Sequence, residues 1–465
     1  MSEARMDFLE KARTKRLTVA VIGLGYVGLP LAVGFARAGV RVLGIDVDGA
    51  RVQAINRGVS HIPDVPSADL APVVAAGRLV ASTEYRECGR ADAAVICVPT
   101  PFTRMKAPDL SYIEAACRAL APHVAPGSLV VLQSTTYPGT TEELVRPILE
   151  TAGRRAGRDF SLAFSPERID PGNQRYGAHN TPKVVGGIEP ASTEAAVALF
   201  GLLVPPDQIH RVSGPRAAEM CKLLENIFRS VNIALVNELA KLCHRMGIDI
   251  WEVIDAAATK PFGFMPFYPG PGVGGHCIPV DPYYLSWKAR EYDFYTKFIE
   301  LAAETNSSMP FFTVNRISEA LNRQGKPLLG AKILILGAAF KRDVDDPRNA
   351  PAREVMRALL ARGAEVSYHD PYIPGVALDD THGHGDGPAR RLTSVPLTEE
   401  TLGAQDCICL AVAHSAFDIP WLLKHSRLLM DATGMTRFVD GDKSHVSRIG
   451  DGRRRTSWEA GMWGD

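Results

Sequence analysis

Residues 17–28 decide the fold of the N-terminal part of the chain. An apolar run, Leu17-Thr-Val-Ala-Val-Ile22, leads into the turn Gly23-Leu-Gly25-Tyr-Val-Gly28, and the residues after the turn have helical composition. Strand, glycine turn and helix in this order are typical of a dinucleotide-binding unit. The glycines let the backbone approach a pyrophosphate, and the helix N-terminus favours its negative charge. The glycine pattern also occurs in turns of other α/β proteins, so its context carries the prediction.

A second strand supplies that context. Residues 40–45 read Val-Arg-Val-Leu-Gly-Ile and end at Asp46, about 20 residues beyond the glycines. A carboxylate at this point accepts hydrogen bonds from the ribose hydroxyls and disfavours a 2′-phosphate. The sequence therefore predicts NAD as the cofactor rather than its phosphorylated form.

Two further buried-strand patterns end in polar loops. Residues 93–98 lead into Pro99 and Thr100, and residues 128–133 lead into Ser134 and Thr135. In an open parallel sheet, ligands bind at such carboxyl ends. The predicted cofactor-binding residues are Gly23, Gly25, Tyr26, Val27, Gly28, Asp46, Arg51, Pro99, Thr100, Ser134 and Thr135.

Composition and charge exclude several classes of function. The chain has 465 residues with 52 basic and 52 acidic side chains, so no net field attracts nucleic acid or an anionic membrane. No apolar run reaches the roughly 18 residues of a membrane span, and residues 1–16 lack a signal-peptide pattern and are expected to be a flexible arm. Eight cysteines without C-x-x-C spacing favour a reducing cytoplasm and no metal site. Cys407 and Cys409 alternate within an apolar run and are expected to be core residues.

The chain is predicted to be an α/β protein in which two Rossmann-like doubly wound domains are joined by a central all-helical domain. Helical periodicity covers residues 215–258 and 283–322, and helices of this length suit a subunit interface, so we expect a homodimer or higher homo-oligomer. Strand patterns return at 332–336, 365–370, 406–412 and 427–431. The predicted domains are an NAD-binding domain at 1–212, a helical domain with a cysteine loop at 213–325, a C-terminal domain at 326–437 and a flexible tail at 438–465.

The C-terminal α/β unit differs from the first at its glycine turn. Gly337-Ala-Ala-Phe340 lacks the second and third glycines, which argues against a second dinucleotide site. The turn is followed by Lys341 and Arg348, whose side chains could clamp a ligand phosphate. The alternative is that both are solvated surface residues.

The segment Gly270-Pro-Gly-Val-Gly274-Gly-His-Cys277-Ile-Pro-Val-Asp281-Pro places a cysteine in a glycine-rich turn, with a carboxylate four residues further on. Glycine allows positive φ and close approach of a ligand, and proline stiffens the loop, so the thiol is presented. A thiol beside a nicotinamide can capture an aldehyde as a thiohemiacetal, and a second hydride transfer then gives a thioester that hydrolyses to an acid. The alternative is a structural turn with a packing cysteine. His276 is expected to be structural.

Other residues could support such chemistry. Lys222 and Asn226 lie one turn apart on the central helix and could stabilise an oxyanion, with Lys222 also able to accept a proton; the alternative is an ordinary wet helix face. Asp281 could pair with Lys222, or it could cap the loop. Glu167, supported by Thr135, could orient a hydrolytic water, although its loop could equally be structural.

Six motifs in the same order resemble the UDP-glucose/GDP-mannose dehydrogenase family over residues 17–437. They are the Gly23–Pro30 turn, Ser134-Thr135, Ser165-Pro-Glu-Arg168 with Pro171-Gly172, Glu219-x-x-Lys222-x-x-x-Asn226, Gly274-Gly-His-Cys277-Ile-Pro-Val-Asp281-Pro, and Phe340-Lys-x-Asp-Val-Asp-Asp-x-Arg348. The resemblance implies a three-domain subunit whose helical domain dimerises and whose C-terminal domain closes over a nucleotide sugar. It also implies oxidation of the sugar C6 hydroxyl to a carboxylate with two NAD⁺, in the supply of uronic acids for a surface polysaccharide.

The resemblance also implies residue roles. Cys277 is the nucleophile, Lys222 and Asn226 hold the oxyanion, and Asp281 assists them. Glu167 and Thr135 position water. The residues that it assigns to the substrate are Glu167, Arg168, Lys222, Asn226, Tyr268, Gly274, Lys341 and Arg348.

One loop departs from the pattern of family members that act on UDP-glucose. These often carry a second glutamate shortly after the first, whereas this chain has Asp170-Pro171-Gly172, which looks like the branch that oxidises UDP-N-acetylhexosamines. UDP-N-acetylglucosamine or UDP-N-acetylmannosamine is therefore favoured, with UDP-glucose and GDP-mannose open. The rival functions are a β-hydroxyacid or 6-phosphogluconate-type dehydrogenase, which uses lysine without a nucleophilic thiol, and a non-catalytic NAD-binding protein.

Overall fold

Two units make up the part of the chain that the computed structural model describes, namely residues 3–103, 107–169, 175–177, 180–275, 277–378 and 390–452. The first unit is Met1–Glu225 with Tyr283–Tyr295, and the second is Asn226–Pro282 with Thr296–Asp465. The sequence-based boundaries at 212, 325 and 437 divide the chain differently and stay a prediction.

A sheet of eight strands is the framework of the first unit in the described part of the chain. Its strands are β1 (Thr18–Ile22), β2 (Arg41–Ile45), β3 (Leu79–Ser82), β4 (Ala93–Ile96), β5 (Leu129–Leu132), β6 (Ser161–Phe164), β7 (Lys183–Gly187) and β8 (Ile209–Arg211). Their order is β3-β2-β1-β4-β5-β6-β7-β8, and neighbours run parallel except that β7 is antiparallel to β6. Strands β4, β5 and β6 are buried along their whole length, as strands covered on both faces must be. The four strands predicted from apolar runs, β1, β2, β4 and β5, are confirmed.

Helices cover this sheet. They are α1 (Glu3–Arg13), α2 (Gly28–Ala38), α3 (Gly49–Asn56), α4 (Ser67–Ala75), α5 (Ser111–Leu120), α6 (Arg146–Glu150) and α7 (Pro190–Phe200), with short turns at Tyr85–Arg90, Ala121–His123, Thr141–Val145 and Pro206–Gln208. The prediction of a flexible arm at residues 1–16 was wrong for α1. Phe8 and Ala12 are buried in the core that α2 also lines, and the Lys11 ammonium bonds Asp92 at 3.0 Å. One helical turn separates these two apolar residues, a signal too short to stand out from the polar residues around it.

The second unit combines long helices with a smaller parallel sheet. The helices are α8 (Pro215–Met246) and α10 (Asp281–Ala289), each of which also enters the first unit, then α9 (Ile250–Ala258), α11 (Lys297–Arg323), α12 (Pro351–Ala361), α13 (Glu399–Gly403) and α14 (Ile419–His425). The strands are β9 (Lys332–Leu336), β10 (Glu365–His369), β11 (Gly375–Leu378), β12 (Arg390–Thr393), β13 (Cys407–Leu410), β14 (Leu429–Asp431) and β15 (Val446–Arg448). The sheet order is β10-β9-β13-β14-β15, and β11 pairs with β12 separately. The predicted α/β class, with parallel sheets and a helical region, is confirmed, and Cys407 and Cys409 are core residues.

The segment predicted as a flexible tail from residue 438 contains strand β15, so that prediction was wrong for the residues up to 452. Val446 and Ile449 are buried, and the indole Nε1 of Trp251 donates to the carbonyl of Ile449 at 2.7 Å. Two isolated apolar residues within a polar stretch gave no strand signal. Residues 453–465 lie outside the described residues.

Helix α8 has an inverted distribution of polarity. The apolar residues whose period predicted the helix include Leu224, Leu235 and Leu242, which are 58%, 54% and 50% exposed, whereas Glu219, Lys222 and Asn226 are buried. None of the helices in the described part of the chain combines the length and apolar character needed to cross a bilayer. Helix α8 therefore exposes part of its apolar stripe and buries polar side chains.

Candidate active site

The glycine turn after β1 is built for close backbone contact. Gly23 has φ +88°, and a Cβ there would lie 2.8 Å from the carbonyl oxygen of Cys97. A Cβ on Gly28, the first residue of α2, would lie 1.7 Å from the carbonyl oxygen of Gly23. Gly25 meets nothing within 4 Å, so its side of the turn is open for a ligand. Tyr26 and Val27 complete this turn at the N-terminus of α2.

Asp46 lies at the end of β2, where the ribose-binding acid was predicted. Its Oδ2 accepts the backbone N–H of Leu24 at 2.8 Å and pairs with Nη1 of Arg51 at 2.9 Å, while Oδ1 accepts the N–H of Asp48 at 3.0 Å. The structure thus brings the glycine turn, the acid and Arg51 together, as a dinucleotide site requires.

The loops after β4 and β5 meet at one edge of the sheet because these strands are parallel neighbours. Ser134 Oγ donates to the carbonyl of Val98 at 2.7 Å, which joins the two loops, and Thr135 follows directly. The hydroxyl of Tyr284 donates to the carbonyl of Thr100. These loops, with Pro99, therefore border the same edge as the glycine turn.

Glu167 follows β6 at the same edge and is held by several donors. Gln133 Nε2 donates to its Oε2 at 2.6 Å, and Lys183 Nζ lies 3.2 Å from the same oxygen. The backbone N–H groups of Arg168 and Ile169 donate to Oε1 at 2.7 and 3.0 Å. Burial alone would raise the pKa of Glu167, but the Lys183 ammonium and these N–H donors outweigh it and lower the pKa.

Arg168 is tied to the helix that carries the predicted oxyanion residues. Its Nη2 lies 2.7 Å from a carboxylate oxygen of Glu225 on α8, and its Nη1 donates to the carbonyl of Pro182 at 2.9 Å. The neighbouring loop Asp170-Pro171-Gly172, on which the substrate branch was inferred, lies outside the described residues.

The buried face of α8 is anchored through Glu219. Its carboxylate accepts the N–H of Gly139 at 2.6 Å and both the N–H and hydroxyl of Thr141, at 2.9 and 2.7 Å. Burial raises the pKa of Glu219, and these hydrogen bonds offset part of the rise. Lys222, one turn further along α8, is 8% exposed. This burial contradicts the alternative of an ordinary wet helix face, and the catalytic role of Lys222 stays a prediction.

The cysteine loop lies in the second unit and depends on its glycines. Gly272 and Gly275 have φ +140° and +89°, and a Cβ on Gly274 would lie 2.8 Å from Pro351 and 2.9 Å from Phe340. No other residue would fit at these positions without moving the core beneath the loop. Residue 276 lies outside the described residues, so the structural role predicted for His276 stays a prediction.

Cys277 is exposed, and its carbonyl accepts the N–H groups of Val280 and Asp281 at 3.1 and 2.8 Å. Asp281 is the first residue of α10 and is 3% exposed. Its carboxylate accepts a hydrogen bond from the Asn226 amide. The structure therefore brings two predicted site residues together, and it pairs Asp281 with Asn226 within the second unit.

The predicted substrate residues of the C-terminal part are engaged with neighbouring side chains. The Tyr268 ring stacks on Trp251 at 5.6 Å and its hydroxyl donates to Asp255 at 2.8 Å. Arg348 forms a bidentate ion pair with Asp346, in which Nε lies 2.8 Å from Oδ1 and Nη2 lies 2.7 Å from Oδ2. Lys341 follows β9 as predicted. The substrate roles of these residues stay predictions.

Sequence reasoning missed two residues of the sheet edge. Gln133 is the last residue of a strand pattern, and Lys183 begins a strand and is fully buried. The signal that was available is a lysine directly before the apolar pair Val184-Val185. The partner of that lysine depends on the strand order β5-β6-β7, which the sequence pattern does not contain.

A glycine turn, a buried acid at the ribose position and polar strand ends define an NAD-dependent oxidoreductase of the Rossmann class. Three family models match the chain in order: the NAD-binding domain of the UDP-glucose/GDP-mannose dehydrogenase family at residues 17–204, its central domain at 216–308 and its UDP-binding domain at 334–437. The chain belongs to the UDP-glucose/GDP-mannose dehydrogenase family. It is an NAD-dependent nucleotide-sugar dehydrogenase, which confirms the predicted family, cofactor and class of enzyme.

Similar proteins cover nearly the whole chain. A UDP-N-acetyl-D-glucosamine 6-dehydrogenase of Pseudomonas aeruginosa is 36% identical over 439 residues, 93% of this chain and 99% of that protein. A UDP-N-acetyl-D-mannosamine dehydrogenase of Escherichia coli K12 is 36% identical over 437 residues, 90% of this chain and 99% of that protein. The solved structure of a UDP-D-ManNAc dehydrogenase from Pyrococcus horikoshii has a TM-score of 0.83 and 32% identity, covering 94% of this chain and 100% of that one.

Proposed function

We propose that this enzyme oxidises the C6 hydroxyl of a UDP-N-acetylhexosamine to a carboxylate through a thioester on Cys277. The observation that carries the proposal is the exposed Cys277 in a loop whose glycines have no substitute, four residues before a buried Asp281 that is bonded to Asn226. A packing cysteine needs neither exposure nor such a loop. The site residues predicted from the sequence are part of this proposal.

The reaction divides into two oxidations and a hydrolysis. NAD⁺ held by the glycine turn and Asp46 would supply the hydride acceptor for the first oxidation, and a second NAD⁺, exchanged for the NADH, would supply it for the second. Lys222 accepts the hydroxyl proton and then, with Asn226, donates hydrogen bonds to the oxygen of the aldehyde and of the adduct that follows. The Cys277 sulfur adds to the aldehyde carbon, remains bound through the second oxidation, and leaves when water cleaves the thioester. Glu167 and Thr135 position that water, and Asp281 orients the Asn226 amide.

The proposed substrate class rests on what relatives are named for and on one loop. The relatives from Pseudomonas aeruginosa and Escherichia coli are named for UDP-N-acetylglucosamine and UDP-N-acetylmannosamine. The sequence Asp170-Pro171-Gly172 agrees with that branch. UDP-glucose and GDP-mannose are the alternatives to be excluded.

None of the eight cysteines, all within the described residues, forms a disulfide, which fits the proposed cytoplasmic location.

The stoichiometry of NADH tests the function. Purified enzyme is incubated with NAD⁺ and each of four nucleotide sugars, UDP-N-acetylglucosamine, UDP-N-acetylmannosamine, UDP-glucose and GDP-mannose. We expect an N-acetylhexosamine substrate to give two NADH per acid formed, measured by absorbance and mass spectrometry. A ratio of one would exclude the thioester route and favour a β-hydroxyacid type of dehydrogenase, and no NADH with any sugar would favour a non-catalytic NAD-binding protein.

We also propose that the enzyme is a homodimer or a higher homo-oligomer built on the exposed face of α8. That face carries Met220, Leu224, Phe228, Leu235, Leu239, Leu242 and Met246, all at least one-third exposed. An apolar stripe of this length on a surface helix is typical of a subunit interface.

Light scattering tests the oligomer. We expect a mass of at least twice the 50.3 kDa chain, and we expect Leu235→Glu with Leu239→Glu to reduce it to one chain, because two carboxylates would be buried in the interface. Glu238→Lys changes a neighbouring exposed residue and is the control. A monomeric wild-type enzyme would contradict the proposal.

A further inference from the structure

A row of polar side chains joins the ends of four adjacent strands in the first unit. Cys97 follows β4, Gln133 follows β5, Glu167 follows β6, and Lys183 is the first residue of β7. Because β7 runs antiparallel to β6, its first residue lies at the edge where the other three strands end. The sulfur of Cys97 lies 4.0 Å from Gln133 Oε1, and the Gln133 amide donates to Glu167 at 2.6 Å.

Glu167 is surrounded by donors. Oε1 accepts the N–H groups of Arg168 and Ile169 and lies 3.3 Å from Lys183 Nζ. Oε2 accepts the Gln133 amide and lies 3.2 Å from the same Nζ. Four donor atoms surround the carboxylate, and Lys183 Nζ is shared between its two oxygens, so the charged form of Glu167 is favoured over the protonated form.

Lys183 has the character of a dedicated counter-charge. It is 0% exposed, and its Nζ lies over the Phe200 ring at 5.9 Å on an otherwise apolar side. An ammonium buried to this degree is strongly unfavourable without an anionic partner, and Glu167 is that partner.

The titratable side chains that face Glu167 are a cation and a neutral thiol, so neither opposes the negative charge of the carboxylate. Lys183 faces it from β7 and Cys97 from the end of β4, and burial keeps the thiol of Cys97 neutral by raising its pKa. Arg168 points its guanidinium at Glu225 and at the carbonyl of Pro182 instead of at Glu167. Lys183 is therefore the cation that decides the charge state of Glu167.

We propose that Lys183 and Gln133 are positioning residues that hold Glu167 as an oriented carboxylate, so that Glu167 serves catalysis as a fixed hydrogen-bond acceptor and not as a base. The inference deepens the proposed function, on which it rests, because it specifies how Glu167 acts. A tenth of the Glu167 side chain stays exposed. At that surface Glu167 accepts a hydrogen bond from the hydrolytic water, whose oxygen adds to the thioester carbon as the bond to the Cys277 sulfur breaks. One proton of the water goes to the departing sulfur and the other to solvent.

The test compares Lys183→Met with Lys183→Arg across pH. In Lys183→Met the carboxyl of Glu167 is buried without its cation, so its pKa rises and it becomes neutral at neutral pH. We expect kcat at pH 7 to fall at least about tenfold with KM changed much less, and the acidic limb of the kcat profile to move up by about three pH units or more. Lys183→Arg keeps the charge and restores the wild-type limb. An unchanged limb in Lys183→Met overturns the proposal.

Protonation is also measured without turnover. Infrared difference spectra against Glu167→Gln report the carboxyl band of Glu167, which we expect to be absent at neutral pH in the wild type and present in Lys183→Met. A carboxyl band in the wild-type enzyme at neutral pH overturns the inference. This readout stands even if no nucleotide sugar is oxidised, so failure of the proposed function and failure of the inference are distinguishable.

The pH dependence of stability distinguishes a positioning role of Lys183 from a purely structural one. The lowered pKa of Glu167 means that its ionisation stabilises the fold above the unfolded pKa, and this contribution is lost as the pH falls through the folded pKa. In Lys183→Met the sign reverses, so the Tm difference from wild type grows as the pH rises. We expect Lys183→Met with Glu167→Gln to regain Tm but not activity, and recovery of both would overturn the proposal. If Lys183→Met does not fold, Gln133→Leu is expected to shift the limb in the same direction by a smaller amount, and an unshifted limb there counts against the proposal.

Discussion

Replacing Cys277 with alanine is expected to abolish formation of the acid while leaving NAD binding intact. Of the eight cysteines, all within the described part of the chain, Cys277 alone is exposed. Burial raises the pKa of Cys88, Cys117 and Cys407 to about 12, so these thiols are neutral and unreactive at neutral pH. Cys221 is partly buried, and burial raises the pKa of its thiol as well.

The expected loss in acid formation is roughly 10⁴- to 10⁶-fold, the range found when a covalent catalytic group is removed. Acid is measured by mass spectrometry and NAD binding by fluorescence titration. Cys243→Ala, which removes a buried thiol from the same unit, is the matched control and should keep its activity. Wild-type acid formation by Cys277→Ala would exclude the thioester and leave the cysteine loop as a structural turn.

The local parts of the fold could be predicted because their signals are local. The run from Leu17 to Gly28 and the acid at Asp46 specify a strand, a turn and the position of the acid within 30 residues, and the structure has all three. The period of α8 predicted a helix but could not tell which face is buried. Here the stripe through Leu235 is exposed and the polar face through Lys222 is buried, which is the reverse of the usual burial of apolar residues.

Contacts between distant segments could not be predicted in the same way. Lys183 meets Glu167 because β7 turns back antiparallel beside β6, and Asn226 meets Asp281 across 55 residues of chain. The order of the strands or the path of a loop determines which residues meet in each pair. The periodicity of the sequence carries information about neither. The failed predictions at α1 and β15 have a related cause, since Phe8 and Ile449 are single apolar residues whose burial depends on a partner segment far away in sequence.

Replacing Lys222 with methionine is expected to lower kcat by about two orders of magnitude or more, the loss found when an oxyanion donor is removed. Methionine keeps most of the side-chain volume and removes the ammonium. Lys222 is 8% exposed, and methionine fills the same largely buried space without an ionic group that must be desolvated. We therefore expect Lys222→Met to leave the Tm unchanged or to raise it, while activity falls.

This opposition between stability and activity distinguishes a catalytic lysine from a structural one. If the lysine only stabilised the fold, its replacement would lower the Tm of the enzyme. The activity would then fall only in proportion to the fraction of enzyme that remains folded. Lys241→Met on the same helix is the matched control, because Lys241 donates to Ser308 and should lose some stability with little change in kcat. Lys222→Arg keeps the charge but replaces a compact ammonium with a planar guanidinium, so the kcat of this variant should remain well below that of the wild type. A Lys222→Met enzyme with near-wild-type kcat would remove this lysine from the mechanism and leave the Asn226–Asp281 pair to stabilise the oxyanion.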